Sequence, residues 1–390
     1  MDLGPLRNSP IGQLVPISGS DGRTGEHYEY FAYLPSALPA SLALSSATWA
    51  TVTAAEAALA RLDEAARQIP DPALLRQPAL RREAQSTSAL EGTFAPLEDV
   101  LESDIERRGQ MSLELLEILN YVVAAEEAFS WVRERPLTIG LIESLQQILV
   151  QGTPGEYSDS GRVRDRHVFI GPKDAAIESA RFVPAPFGDQ LRAGFEDWLT
   201  WVNRPPGDFP AVIQAGLAHY QFETLHPFSD GNGRIGRLLI VLQLMRQAVL
   251  RHPILVVSPW FEARRTEYHD ALLALSQTGD WDRWLHFFAS GVAASAATTH
   301  TRFDGLISWQ QEVLAQVRAA GISGVAERVA GELIGGPILR ASVIAKRHDV
   351  SHQAAMNALR RLAELGIVKE QTRRGRISFT AQPVVQLLSQ

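Results

Sequence analysis

The sequence predicts a mostly α protein with one small β-hairpin in its middle and a basic helix-turn-helix with a wing at its end. Three observations carry that prediction. Apolar residues recur at helical spacing through most of the chain, two short β-type runs flank one Gly-Pro turn, and the charge balance changes sign past Gly336.

Residues 1–27 are rich in Gly, Ser, Pro and Asp with little periodicity, which predicts a loosely held arm without chemistry. An N-terminal helical region, 28–110, follows. In it SATWATVTAAEAALARLDEAARQ, Ser46 to Gln68, combines helical apolar spacing with strong helix formers, and Pro70 and Pro72 stop it. A second helix is expected from about Pro78 to Leu90, with Gly92 as its C-terminal stop.

The central region, 111–297, carries LELLEILNYVVAAEEAFSWV, IGLIESLQQILV, PFGDQLRAGFEDWLTWV, VIQAGLAHYQFETL, RIGRLLIVLQLMRQAVL and WDRWLHFFASGVAAS, all helical in pattern. Between the second and third lie the β-type runs His167 to Ile170 and Ala180 to Val183, which predict the hairpin. A helical connector, 298–335, leads to the last region, 336–390. There Arg340, Lys346, Arg347, Arg360, Arg361, Lys369, Arg373, Arg374 and Arg376 face only Asp349, Glu364 and Glu370. SVIAKRHDVSHQAAMNALRRLAELG reads as helix, tight turn at Asp349-Val350-Ser351, and helix; IVKEQTRRGRISFT alternates as a hairpin turning at Gly375. Ser351 is placed to cap the second helix, leaving Gln353, Ala354, Asn357 and Arg360 on a face that suits a DNA groove, with Arg373, Arg374 and Arg376 on the wing near phosphates. Double-stranded DNA is one expected partner, and docking of a protein or pairing into a homodimer is the alternative.

The composition narrows function. A net charge of −7 excludes a nucleic-acid coat for the protein as a whole, and the absence of cysteine excludes disulfides, thiolate metal sites and a cysteine nucleophile. Hydrophobic residues make up 45%, the share of an ordinary globular chain. The start Met1-Asp2-Leu3-Gly4-Pro5 lacks the build of a signal peptide, and the best apolar run, Leu238 to Leu250, is broken by Gln243, Arg246 and Gln247. The expectation is a cytoplasmic protein without a membrane span.

Chemistry concentrates in HPFSDGNGRIGR, His226 to Arg237. Glycines around Asn232 let the backbone curl so that N–H groups point inward, and the apolar run that follows makes this turn a helix N-terminus, which is an anion site. Ile235, Leu238, Leu239, Leu242, Met245 and Val249 share one face, expected to meet a core. Arg234 and Arg237, three apart, share a neighbouring face beside the N–H groups of Gly231, Asn232 and Gly233, which suits consecutive phosphates. Asp230 can hold a magnesium ion bridging phosphate oxygens, and His226 has the chemistry of a base near neutral pH.

HPFSDGNGR resembles the motif of the Fic family, HxFx(D/E)GNGR, at every specified position, and Arg237 falls on the second arginine that often follows. The resemblance implies a helical core and transfer of AMP from ATP to a hydroxyl of a target protein. His226 would be the base, Asp230 the magnesium ligand, Gly231, Asn232 and Gly233 the phosphate cradle, Phe228 the loop's core anchor, and Arg234 and Arg237 the outer-phosphate ligands. The hairpin would be the family's flap, lining up a target segment by strand pairing. Thr87 to Gly92, TSALEG, fits the family's inhibitory pattern (S/T)xxxE(G/N); by resemblance Glu91 would pair with Arg237 and block the ATP γ-phosphate, or orient a water that removes AMP from modified targets. Tyr268, beside His269 where many relatives have two tyrosines, would line the adenine pocket. Two other readings stand beside AMP transfer: a phosphotransferase like the Doc branch, which typically has lysine where this chain has Gly233, and a DNA-binding regulator using the core as a nucleotide sensor.

Overall fold

The structure is a computed structural model and describes residues 1–20, 25–67, 71–102, 111–171, 176–205, 207, 209–373 and 375–389, with residue 373 described for its backbone alone. Among the described residues the chain is mostly helical with two small antiparallel sheets.

Residues 1–27, expected as a loose arm, are structured where they are described. A short helix, α1 (Leu3–Arg7), capped by the Asp2 side chain, precedes β1 (Gly12–Ser20), which pairs antiparallel with β2 (His27–Pro35) from Gly12↔Pro35 to Ser20↔His27. The glycines that suggested a loop make room for rings. A Cβ at Gly12 would lie 2.3 Å from the Tyr33 hydroxyl, and one at Gly19 would lie 2.6 Å from that of Tyr28.

α2 (Ser46–Arg67) forms as its periodicity predicts, burying Val52, Ala55, Leu59, Leu62 and Ala66 at steps of three and four. Gln68 and Pro70, part of that prediction, lie outside the described residues. α3 (Ala73–Leu90) begins five residues before the expected Pro78, which sits inside it. Asp71 accepts from the Ala73 N–H at 3.0 Å and starts the helix, so that Pro78 costs one hydrogen bond early in the helix without ending it. Gly92, at φ 94°, ends α3 as expected.

A short α4 (Leu97–Glu102) leads to the central helices: α5 (Leu113–Trp131), α6 (Ile139–Val150), α7 (Asp189–Val202), α8 (Ala211–Leu225), α9 (Asn232–Arg246), α10 (Ser258–Glu262) and α11 (Arg265–Thr278). Ser112 and Thr138 cap α5 and α6. α12 (Trp281–Ala319) is a single helix of 39 residues along which α2 packs, so the boundary expected between 297 and 298 falls inside a continuous element. The expected flap hairpin reduces, among the described residues, to one antiparallel bridge, Ile170↔Phe182, and a 3-10 turn at Ile177–Ser179; Pro172 lies outside them. The next hydrogen-bonded rung would fall on Pro184, which has no N–H to give, and the Val183 carbonyl, facing the other edge, accepts from Tyr33 N of β2 at 2.9 Å.

At the end come α13 (Val325–Glu332), β3 (Ile338–Leu339), α14 (Ala341–His348), α15 (His352–Glu364), β4 (Lys369–Arg373), β5 (Arg376–Thr380) and α16 (Gln382–Ser389), with sheet order β3-β5-β4. Asp349, at φ 51°, turns the chain between α14 and α15, and Ser351 caps α15 by accepting from Ala354 N at 3.2 Å. Arg374 lies outside the described residues. Arg340 leaves the expected basic surface: it is buried and donates to Glu102 at 2.7 Å.

Candidate active site

The motif loop begins where α8 stops. His226 closes that helix in the left-handed region, φ 53° and ψ 62°, which a residue with a side chain adopts at a cost that the surroundings must meet. Arg164 meets it from inside the protein. Its backbone N–H donates to the Pro227 carbonyl at 2.9 Å, and its guanidinium donates to the carbonyls of His226 (2.8 Å), Arg166 (2.7 Å) and Leu225 (3.3 Å) and to that of Ala185. Phe228 is fully buried against Phe195 and Phe222, the expected anchor. Asn232 closes the loop with its side chain: Oδ1 accepts from Phe228 N at 2.9 Å and Nδ2 donates to Phe228 O at 2.7 Å. Gly231, at φ 85°, precedes α9 without any side-chain cap, so the helix's first N–H groups stay open to an anion. A Cβ there would meet Leu149 at 2.7 Å.

α9 is buried on all sides, against the expectation of one apolar face, because α3, α5, α6 and α8 surround it. Its two arginines are therefore inside the protein and paired: Arg237 with Glu91, as the resemblance implied, and Arg234, expected as a phosphate ligand, with two carboxylates. Arg234 donates to Glu117 of α5 and to Asp230 Oδ1 at 2.7 Å. Arg237 donates from Nε to Thr87 Oγ1 at 2.7 Å and from Nη2 to the Thr87 carbonyl at 3.0 Å and to Glu91 Oε1 at 2.6 Å. The TSALEG segment thus lies directly on the second motif arginine. Burial opposes ionisation of Glu91, but the charge and hydrogen bond of Arg237, with Arg234 and His269 behind it, outweigh burial and hold its carboxyl below the usual range. Gly233 permits this seat, since a Cβ there would lie 2.1 Å from Glu91 Oε1.

Glu91, Gly233 and Arg237 share a cleft of about 710 Å³ with His226, Glu223, Tyr268, His269 and, from the flap bridge, Ile170 and Phe182. His226 Nδ1 lies 3.2 Å from the Glu223 carbonyl. A carbonyl only accepts, so Nδ1 carries the proton and Nε2 keeps its lone pair. Burial, then Arg164, pulls the imidazole down to about 4, so it is neutral at physiological pH, further from neutrality than the unperturbed value expected. Tyr268 is a core residue first: its hydroxyl lies 2.7 Å from His219 Nε2, and His219 Nδ1 lies 3.1 Å from the Gly236 carbonyl, so the pair buttresses α9 while the ring edges the cleft.

Sequence reasoning missed Arg164, Glu117, Glu83 and Glu223. Glu83 of α3 accepts from the N–H of Ser258 at 2.9 Å and from its hydroxyl, fixing the TSALEG helix to α10. Glu223 carried a visible signal, an acid one helical turn before the motif histidine; the others become visible only when distant segments meet.

These features define a helical protein with an uncapped helix N-terminus after a glycine turn, a neutral histidine beside it and an internal carboxylate seated on its arginine. The Fic/DOC family N-terminal model matches residues 49–130 and the Fic/DOC family model matches residues 136–244. The chain belongs to the Fic family. It is 30% identical over 202 residues to the protein adenylyltransferase Fic of Drosophila willistoni, an alignment covering 50% of this chain and 36% of that one. It is 31% identical over 172 residues to the protein adenylyltransferase Fic of Nematostella vectensis, covering 41% of this chain and 36% of that one. The chain thus spans little more than a third of the length of these curated relatives. Among solved structures, a Fic family protein from Desulfovibrio desulfuricans shares the fold with a TM-score of 0.57 at 19% identity, over 87% of this chain and 97% of that one. A Fic domain containing signaling protein from Bacteroides thetaiotaomicron does so with 0.50 at 22% identity, over 65% and 98%.

Proposed function

We propose that the protein transfers AMP from magnesium-bound ATP to a hydroxyl side chain of a target protein, and that Glu91 holds it off by occupying Arg237. One observation carries this reading: His226, with a free Nε2, and Arg237, engaged by an internal carboxylate, line one cleft around an uncapped helix N-terminus. The relatives named protein adenylyltransferase support it.

In the proposed step a hydroxyl oxygen attacks the α-phosphorus as its proton passes to His226 Nε2. The bond to the bridging oxygen breaks and pyrophosphate leaves with that electron pair. The open N–H groups of α9 would bind the polyphosphate, and Arg237, once released, would bind its outer end. Asp230 fits magnesium: it is a hard oxygen donor, its side chain is 37% exposed, and it sits at the same turn, where the ion would take its other ligands from phosphates and water and neutralise charge. Arg234 holds Asp230 and serves that site from behind. Ile170 and Phe182 border the cleft where a target segment would lie along the flap.

Incubating the Glu91→Gly protein with α-labelled and γ-labelled ATP tests the reading. AMP transfer requires protein-bound label from the α position alone; label from the γ position establishes phosphotransfer and overturns it.

We further infer that residues 336–390 form a winged helix-turn-helix that contacts duplex DNA through the exposed Gln353, Ala354, Asn357 and Arg360. The support is local: these side chains face outward on α15, while Arg340 is buried and Arg347 pairs with Glu332. A salt-sensitive mobility shift of a DNA duplex by the full chain tests it.

A further inference from the structure

Gly233 and Gly236 lie on the face of α9 that carries Arg237. A Cβ at Gly233 would lie 2.1 Å from Glu91 Oε1, and a Cβ at Gly236 would lie 2.3 Å from Glu223 Oε1. The absent side chains leave a trough holding two carboxyl groups, Glu91 from α3 and Glu223 from α8, and both line the cleft.

The two carboxyls are treated differently. Glu91 is hydrogen-bonded to Arg237, whereas Glu223 Oε1 is buried and meets no donor among the described residues. A carboxylate oxygen left dry and undonated is costly, and a proton removes the cost. Burial pushes the Glu223 carboxyl up to about 8, with Arg237 pulling it back and Glu91 pushing it further. Glu223 is therefore an acid with a hydrogen to donate at neutral pH.

The titratable groups around it leave that hydrogen without a protein acceptor. Arg237 of α9 has no lone pair, and Glu91 of α3 is held by Arg237. On α11 the Tyr268 hydroxyl is engaged with His219, and His269, held neutral by burial, makes no hydrogen bond to Glu223 Oε1 among the described residues. At the end of α8, His226 turns its Nδ1 to the carbonyl of Glu223 itself, and its Nε2 makes no hydrogen bond to Glu223 Oε1 among the described residues.

We propose that Glu223 is a nucleotide-binding residue: its neutral carboxylic acid donates a hydrogen bond to a polyphosphate oxygen of ATP seated between His226 and Arg237. The inference rests on the proposed nucleotide site and adds to it a donor outside the motif. Neutrality is what the position requires, since an ionised Glu223 would repel the polyphosphate and pair with Arg237 in its place.

The test is calorimetric binding of α,β-methylene ATP with magnesium to the full chain carrying Glu91→Gly. Binding is expected to weaken roughly tenfold between about pH 7 and about pH 9 as the donor is lost, beginning nearer neutrality than in the presence of Glu91, whose charge raises the carboxyl. Adding Glu223→Gln, which keeps a donor and cannot ionise, should flatten that dependence; adding Glu223→Ala should weaken binding roughly tenfold at about pH 7. A pH dependence that survives Glu223→Gln, or Glu223→Ala binding as tightly as its parent, overturns the inference while leaving AMP transfer standing. The expected binding pattern without α-label transfer overturns the transferase reading and upholds this one, and no binding by any variant overturns both.

Discussion

α9 and α15 both start after a left-handed residue, and they treat their first residues in opposite ways. α9 follows Gly231 at φ 85° with no side-chain cap, and it buries Asn232, Arg234 and Arg237 against partners from α3, α5 and its own loop. α15 follows Asp349 at φ 51°, is capped by Ser351, and exposes Gln353, Ala354, Asn357 and Arg360. The first helix leaves its N–H groups open for a ligand and holds its cations in reserve behind carboxylates. The second satisfies its own N–H groups and offers side chains to whatever approaches. The proposed reaction site and the proposed recognition surface thus share one local plan and differ in burial and capping.

The comparison breaks most visibly at His226. His226→Ala in the Glu91→Gly background is expected to lower AMP transfer by about two to four orders of magnitude, while binding of the ATP analogue persists; calorimetry beside α-label transfer separates the two. The reserve held on Arg237 is tested next. Glu91→Gly is expected to raise transfer by about two orders, the scale of a partly buried charge pair, whereas Thr87→Val, which removes one hydrogen bond to the same guanidinium, is expected to raise it only severalfold; initial rates on one substrate rank the two.

Acidification gives a smaller effect with a definite sign. His226 must be neutral to accept a proton, and burial with Arg164 lowers its pKa to about 4, so transfer by the released protein should stay level down to about pH 5 and fall only below it. A half-maximal rate near the ordinary imidazole value of about 6.5 would contradict the buried site. On the exposed helix the smallest effect is expected. Arg360→Ala should weaken DNA binding modestly and reduce the salt slope by about one, read from mobility shifts over a salt series.

Much of the site was legible because its parts are close in sequence. The loop from His226 to Arg237 carries its own turn, anchor and helix start, and TSALEG carries the spacing that brings Thr87 and Glu91 to one guanidinium. What escaped was supplied from a distance. Glu117 reaches Arg234 across 117 positions, and Arg164 supports His226 from a segment with no pattern of its own. The same cause hid parts of the fold. Gly12 and Gly19 read as loop until Tyr33 and Tyr28 fill the space above them, and the Val183 carbonyl reads as part of a flap hairpin until Tyr33 of β2 bonds it from the other edge. Pro78 reads as a helix start until Asp71 provides an earlier one.

In the proposed mechanism one carboxylate holds off an otherwise intact motif loop. That restraint is tested most directly by incubating the wild-type and Glu91→Gly proteins side by side with α-labelled ATP and measuring initial rates of label incorporation into protein. A rate about two orders of magnitude higher is expected in Glu91→Gly. Equal rates would contradict it, since the Glu91 contact on Arg237 would then restrain nothing.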